Sequence, residues 1–246
     1  MTLLSIIVPC YNEELRLGPT LEELAQFVST RVEDYEVIVV DDGSSDATSD
    51  VARASLCPNL RVIRSDVNMG KGHAVRVGML AAQGDLRLFA DADGSTPIEE
   101  FASLEKALDE IGGSGVSFAS IGLPGAEVTT TQRGLRPAAG RFGNWLIRLI
   151  ALPGVFDSQR GFKLFSADAA TAIFSRSVVD RWAFDVEVLA LARHLGFDLV
   201  EVPITWAHKD DSRVTALSYL STLTDVVRVR WRLARGAYLG PETRDV

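Results

Sequence analysis

The chain has little cysteine, no excess of basic residues and no long apolar run. Its two cysteines, Cys10 and Cys57, are too few for a disulfide framework and lack metal-ligand spacing, as expected in a reducing cytoplasm. The formal net charge of −8 argues against general nucleic-acid binding. The best apolar stretch, Trp145 to Phe156, has about 12 residues, fewer than the ~20 of a membrane span. We therefore expect a cytoplasmic protein, soluble or bound peripherally at the inner face of the cell membrane.

What is present is the composition of an ordinary globular protein. The 246 residues are 47% hydrophobic and 24% charged, enough for one sizeable core. Short apolar runs alternate with helical patterns, and this rhythm predicts an α/β fold with a parallel, doubly wound sheet. The predicted strands are 3–8, 36–40, 60–64, 86–90, 116–121, 161–165 and 199–206. The predicted helices are 19–30, 46–55, 71–82, 101–111, 141–151, 167–175, 184–195 and 215–236, with an aperiodic loop over 122–140.

Two carboxylates stand one residue apart where the strand 86–90 ends, in the segment Asp91-Ala92-Asp93-Gly94. The end of a parallel strand is where open α/β sheets bind ligands. Two such carboxylates repel each other unless a cation lies between them, and their hard oxygens suit Mg²⁺ or Mn²⁺ together with a substrate phosphate. The alternative is a pair of turn or helix-cap aspartates.

Polar and aromatic residues also follow the first two predicted strands. Tyr11 and Glu13 come after Pro9 and could stack on a base or accept hydrogen bonds from a ribose, or simply form a strand-ending turn. After the second strand, Ser45 or Asp46 is a plausible helix N-cap. That leaves Asp41 and Asp42 free for a ring N–H or a ribose hydroxyl.

The segment Asn68-Met69-Gly70-Lys71-Gly72 follows the third strand and opens a helix. It lacks the spacing of a P-loop, so we do not interpret it as an NTPase motif. A lysine on such a turn can still reach a nucleotide, although a plain turn is the alternative.

Taken together, these motifs resemble those of the family 2 glycosyltransferases of GT-A fold. Pro-x-Tyr-Asn-Glu, Asp-Asp-Gly-Ser, Asn-x-Gly-Lys-Gly and Asp-Ala-Asp-Gly occur in this order after successive strands. The segments 157–165, 181–187 and 201–206 resemble the dolichyl-phosphate glucosyltransferase branch, to which dolichyl-phosphate mannose synthases are close. The resemblance extends from residue 3 to about residue 215. It implies one GT-A domain over 1–246, with a nucleotide-binding half (1–95), an acceptor half (96–214) and a C-terminal helical tail (215–246).

The resemblance also assigns roles to individual positions. Asp91 and Asp93, with Ala92 between them, match the motif that binds the metal ion and the donor diphosphate. Arg213 matches a basic residue that neutralises the diphosphate, although Asp211 replaces the glycine of that turn. The positions that match the base and ribose pocket are Pro9, Tyr11, Glu13, Val40 and Asp42, with Asp41 beside them.

The chain departs from the family pattern where relatives often have Gly-Ser-Arg after the fifth strand. Here the sequence is Gly122-Leu123-Pro124, so the cation for the acceptor phosphate must come from elsewhere, and Arg133 and Arg136 are the best candidates. Arg160 stands where relatives often have cysteine. Eukaryotic relatives of this branch usually carry an N-terminal membrane helix, and this sequence has no such segment.

The resemblance implies an inverting, metal-dependent transfer of a hexose from a nucleotide sugar to a polyprenyl or dolichyl phosphate. Glucose from UDP-glucose is favoured by the second-half motifs, and mannose from GDP-mannose is the alternative. A soluble acceptor, or a nucleotide-sugar-binding module without catalysis, are further alternatives. We expect Asp157 to be a carboxylate near the reacting centre.

Two further residue sets remain open. Asp185 and Glu187 either face solvent from a helix or line the acceptor side. The tail places Arg228, Arg232 and Arg235 on one helical face beside Val227 and Trp231, which suits contact with anionic lipid. The alternative is a helix packed on the domain by its valines and tryptophan.

Overall fold

Residues 3–31, 34–129, 147–207 and 216–238 are described by the computed structural model, and they contain the whole of a central sheet. The strands of that sheet are β1 (Leu4–Cys10), β2 (Tyr35–Asp41), β3 (Leu60–Arg64), β4 (Leu86–Ala90), β5 (Gly115–Ser120), β7 (Phe162–Ser166) and β8 (Asp198–Pro203). Two short strands, β6 (Glu127–Val128) and β9 (Thr205–Trp206), pair with each other. The helices are α1 (Leu17–Arg31), α2 (Thr48–Ala54), α3 (Lys71–Ala81), α4 (Phe101–Glu110), α5 (Ala167–Phe174), α6 (Phe184–His194) and α7 (Ala216–Ala234).

The sheet order is β3-β2-β1-β4-β7-β5-β8. Its neighbours are parallel except at β7, which lies antiparallel between β4 and β5. The predicted α/β fold with a mostly parallel sheet is therefore confirmed. The strand pattern at 161–165 is confirmed as β7, but the reversal of its direction is not part of the prediction, because periodicity carries no information about strand direction.

Helices cover both faces of the sheet, and β1 shows how its residues divide between two cores. Every residue of β1 is buried, as expected for a parallel strand with both faces covered. Ile7 packs into the core with α3, α5 and α6, whereas Ile6 and Val8 pack into the core with α1 and α4. Each such side chain contributes roughly 1.5–3 kcal/mol by leaving water.

Most predicted boundaries differ from the structure by one or two residues. The predicted strand 199–206 is two strands, β8 and β9, because Pro203 has no N–H with which to continue a ladder. Helix α2 begins at Thr48, two residues later than predicted, and Asp46 accepts the N–H of Thr48 at 3.0 Å. The predicted helix 141–151 lies partly outside the described residues; residues 147–150 are helical.

Among the described residues, no helix combines the length and the apolar character needed to cross a bilayer.

Candidate active site

Asp91 and Asp93 lie directly after β4, which is the central strand of the sheet. The N–H of Asp91 donates to the carbonyl oxygen of Gly161 at 2.9 Å. A Cβ atom on Gly161 would lie 1.9 Å from Asp91 Oδ2, so a larger residue there would displace this carboxylate. Asp93 Oδ1 accepts the N–H of Ser95 at 2.9 Å, and Gly94 adopts φ = 59°, which closes the turn.

Lys71 is the cation that the structure brings to this motif. Its Nζ lies 2.6 Å from Asp91 Oδ1. Burial disfavours the charge on Lys71, but the attraction of Asp91, with Asp185 and Asp93 farther away, outweighs it and raises the pKa of Lys71. Burial raises the pKa of Asp91, and Lys71 opposes that shift only in part. The sequence predicts that Lys71 reaches a nucleotide; the structure adds that it meets the carboxylate expected to face the diphosphate.

The turn that precedes Lys71 depends on Gly70 and Asp42. Gly70 adopts φ = 116°, and a Cβ atom there would lie 2.4 Å from the carbonyl oxygen of Asp180. Asp42 accepts the N–H groups of Met69 at 3.0 Å and Gly70 at 2.7 Å, and only 2% of Asp42 is exposed. The expectation that Asp42 is free is therefore wrong, because its carboxylate holds the lysine turn in place; its role toward a ribose stays a prediction.

The same expectation is wrong for Asp41. Its side chain is fully buried. One carboxylate oxygen accepts the N–H of Ser44 at 2.9 Å, and the other accepts the Ser49 hydroxyl and lies 3.2 Å from a guanidinium nitrogen of Arg64. Asp41 is therefore not free, and its nucleotide-binding role stays a prediction.

The other predicted base and ribose residues cluster where β1 and β2 end. Pro9 and Val40 are neighbours in the strand register, and the side chains of Val40 and Ala92 are buried. Tyr11 is 39% exposed. Glu13 is bound by both Nε and a terminal nitrogen of Arg16, at 2.6 and 2.7 Å. The nucleotide-binding roles of these residues stay predictions.

Beneath Asp91 lies an ion pair that sequence reasoning missed. Lys163 in β7 is fully buried; its Nζ donates to Asp185 and, at 2.5 Å, to the carbonyl oxygen of Arg160. Asp185 is only 3% exposed and Glu187 is fully buried, so the solvent-facing alternative for these two residues is wrong. The position of Lys163 among the apolar residues of β7 indicates such an ion pair, because a buried charge needs a partner.

The carboxylate of Asp157 is held by its neighbours. It is 1% exposed, and its Oδ2 accepts the Nε–H of Arg160 at 2.7 Å. Its Oδ1 accepts the N–H of Gln159 at 3.2 Å. Asp157 therefore orients Arg160, and its role near the reacting centre stays a prediction.

The remaining predicted cations, Arg133, Arg136 and Arg213, lie outside the described residues, and so does the turn at 209–213. Their roles stay predictions.

The donor set suits a cation that is shared with a substrate. Across the described parts of the chain, no group of three or more His, Cys, Asp or Glu residues is arranged to hold a metal ion. Mg²⁺, however, is often held by one or two carboxylates together with substrate phosphates and water. Asp91 and Asp93 supply such carboxylate oxygens just after the carboxyl end of β4. These two residues therefore fit the expected divalent cation.

A mostly parallel sheet with paired carboxylates after its central strand is the arrangement of the GT-A fold. Its fold is similar to that of glucosyl-3-phosphoglycerate synthase from Mycobacterium tuberculosis in complex with UDP, with a TM-score of 0.70 over 95% of this chain and 80% of that chain, at 19% identity. The same synthase with Mn²⁺, UDP and glucosyl-3-phosphoglycerate gives a TM-score of 0.66 over 96% and 80%.

The chain belongs to glycosyl transferase family 2, whose model matches residues 5–181. It is 38% identical to the dolichyl-phosphate beta-glucosyltransferase of Drosophila melanogaster over 96% of this chain and 76% of that protein. It is 35% identical to the enzyme of the same name from Homo sapiens over 98% and 79%. The predicted family and enzyme class are confirmed.

Proposed function

We propose that this glycosyltransferase moves glucose from UDP-glucose to a polyprenyl phosphate, with a divalent cation at Asp91 and Asp93. The observation that carries the proposal is the Asp91–Lys71 pair at the end of β4, in a chain 31–38% identical to dolichyl-phosphate beta-glucosyltransferases. The names of those relatives support glucose as the sugar and a lipid phosphate as the acceptor.

The proposed chemistry needs charge neutralisation more than proton transfer. The cation, when bound, neutralises the departing diphosphate. Lys71 adds a second positive charge within reach of the same phosphates, and Gly161 keeps Asp91 in place. A phosphate monoester has a second pKa of about 6, so at neutral pH it already attacks as an anion. This agrees with Asp157 being occupied by Arg160 and acting as an orienting group instead of a base.

A single displacement of this kind inverts the anomeric carbon. The product should then carry the anomeric configuration opposite to that of the donor, which NMR of the glucosylated polyprenyl phosphate measures. Retention would contradict the proposed one-step mechanism.

The proposed acceptor requires contact with a bilayer, and α7 offers a surface for it. Val226 and Val229 pack into the core, while Val227 and Trp231 are 51% and 53% exposed. The guanidinium carbon of Arg235 lies 3.9 Å from the centre of the Trp231 ring. An exposed tryptophan with neighbouring arginines suits the interface of an anionic membrane. We propose that the enzyme works there, at the cytoplasmic face.

The test is release of UDP from UDP-glucose with and without a polyprenyl phosphate and Mg²⁺. We expect release to require both, and Asp91→Asn to lower it by at least about a hundredfold, because the diphosphate charge is no longer neutralised. Asp109→Asn, on the exposed side of α4, is the matched control and should keep full activity.

Two further arms of this experiment separate the alternatives. GDP-mannose in place of UDP-glucose tests the mannosyl donor, and a soluble phosphorylated acceptor tests transfer outside the membrane. Full activity of Asp91→Asn and Asp93→Asn in EDTA would rule out the metal site.

A further inference from the structure

Arg160 presents a fixed guanidinium at the acceptor side of the site. Its Nε–H donates to the buried Asp157, and its Cζ lies 4.9 Å from the centre of the Trp206 ring. These two contacts hold the plane of the guanidinium, yet a quarter of the side chain is exposed. A guanidinium has five N–H donors. Among the described residues only Asp157 accepts from it, so donors remain for a ligand.

Two backbone hydrogen bonds place this guanidinium at the Asp91–Ser95 loop. Gly161, the next residue after Arg160, accepts the N–H of Asp91 at 2.9 Å. The N–H of Ala207, the next residue after Trp206, donates to the carbonyl oxygen of Ser95 at 2.9 Å. Both partners of the Arg160–Trp206 stack are therefore tied to the two ends of the loop that bears the metal-binding carboxylates.

On its other side, the Arg160 segment continues into exposed apolar surface. Phe156, which directly precedes Asp157, is 42% exposed, and Leu149 is 66% exposed. The guanidinium carbon of Arg148 lies 4.3 Å from the centre of the Phe156 ring. Glu201 holds this segment by accepting the N–H groups of Phe156 and Asp157 at 2.8 and 2.7 Å. Along the chain, the exposed apolar residues Leu149 and Phe156 are thus followed by the oriented cation of Arg160. Gly161, which contacts Asp91 at the end of β4, comes next.

We propose that Arg160 binds the phosphate monoester of the acceptor, with Asp157 and Trp206 as its positioning residues and with the acceptor's apolar chain leaving over Phe156 and Leu149. This inference rests on the proposed function. Arg160 suits the acceptor better than the donor, because Lys71 already lies beside Asp91 from the nucleotide-binding side. A planar guanidinium matches two phosphate oxygens, and it aims the third at the sugar without changing any bond of its own.

The test compares Arg160→Gln with wild type by steady-state kinetics on a short-chain polyprenyl phosphate and by calorimetry with UDP. We expect the KM for the acceptor to rise about 10- to 100-fold, because a charge-assisted phosphate contact is lost, while the dissociation constant of UDP stays within about twofold. Arg53→Gln removes an arginine from a similar pair with Asp50, on α2, and should change neither constant.

Removing Arg160 alone leaves Asp157 buried without its partner and could unfold the protein. The double variant Asp157→Asn/Arg160→Gln has no unpaired charge and should show the same rise in acceptor KM. An unchanged acceptor KM in this folded variant would overturn the proposal, and a weaker UDP affinity with unchanged acceptor KM would assign Arg160 to the donor diphosphate.

Direct binding separates this inference from the proposed function. If wild type binds the polyprenyl phosphate in calorimetry but does not glucosylate it, the proposed function fails, and weaker binding by Arg160→Gln still supports the phosphate site. Equal binding by wild type and variant overturns the phosphate site whatever the activity, and no binding by wild type overturns both.

Discussion

The two halves of the sheet use buried carboxylates in different ways. In the half built on β1 to β4, Asp41 and Asp42 lie at a strand end and hold loops through backbone N–H groups. In the half built on β5 to β8, Lys163, Asp185 and Glu187 lie inside regular elements and are almost fully buried. The first half thus fixes the loops around the proposed donor pocket, whereas the second fixes the packing of a strand and a helix beneath the proposed acceptor side.

The largest expected effect tests whether the second half depends on its internal ion pair. Lys163→Met leaves the Asp185 carboxylate buried without its partner, so the free energy of unfolding in urea should fall by about 3–5 kcal/mol. Lys163→Met/Asp185→Asn removes both charges and should recover most of that loss. Lys106→Met on α4 breaks an exposed pair with Glu110 and should cost at most about 1 kcal/mol.

A loss below about 1 kcal/mol for Lys163→Met would show that Asp185 becomes neutral or solvated without its partner. The two halves would then differ in where their buried charges lie, but not in how much those charges contribute to the free energy of unfolding.

The same contrast explains which parts of the molecule could be predicted from its sequence. Asp91, Asp93 and Lys71 follow apolar strands, and strand ends are visible in a pattern of buried runs. Asp185 and Glu187 were ambiguous because α6 is buried on every side from Phe184 to Ala192, so helical spacing does not tell which face is exposed. Asp41 was misjudged because Arg64 and Ser49 reach it only after the chain has folded.

The direction of β7 could not be predicted for a related reason. Apolar periodicity identifies a strand but not its neighbours, and β7 pairs antiparallel with β4 and β5, which are distant in sequence. The pairing of Lys163 with Asp185 depends on that placement, so it was equally hidden. What the sequence does reveal is chemistry concentrated at strand ends, such as the paired carboxylates after β4.

A smaller effect is expected at the junction between α6 and the chain after α7. Burial raises the pKa of Glu187. Its carboxylate accepts the N–H groups of Val178 and Val179 at 3.0 and 2.9 Å and the Tyr238 hydroxyl at 2.8 Å. Tyr238→Phe removes one hydrogen bond to a charged group, so the free energy of unfolding at pH 8 should fall by about 1.5–3 kcal/mol.

The pH dependence of this difference has a definite sign. Burial, followed by the charge of Glu187, raises the pKa of Tyr238 above its ordinary value of 10.0. The folded state therefore keeps a proton that the unfolded state loses, so the stabilisation by Tyr238 is complete below pH 10 and declines as the pH rises further. Urea unfolding of both proteins from pH 8 to pH 11 should show the gap narrowing, and a gap that widens would contradict this assignment.

The smallest effect concerns the surface of α7, where the structure corrects one of the predicted cations. Arg232 is half-buried and directs its charge toward Glu187 and Tyr238, so it is not part of the lipid-facing set. Arg228, whose side chain is 68% exposed, and Arg235, which stacks on Trp231, remain in that set.

Each near-surface cation contributes about 1 kcal/mol to binding of an anionic membrane. Arg228→Gln/Arg235→Gln should therefore weaken binding to anionic liposomes at low salt, measured by sedimentation, by about tenfold or more. Arg53→Gln/Lys106→Gln removes the same charge from α2 and α4 and should bind as wild type does. Equal weakening in both double variants would mean that net charge alone drives binding, and wild type remaining in the supernatant would favour the soluble acceptor.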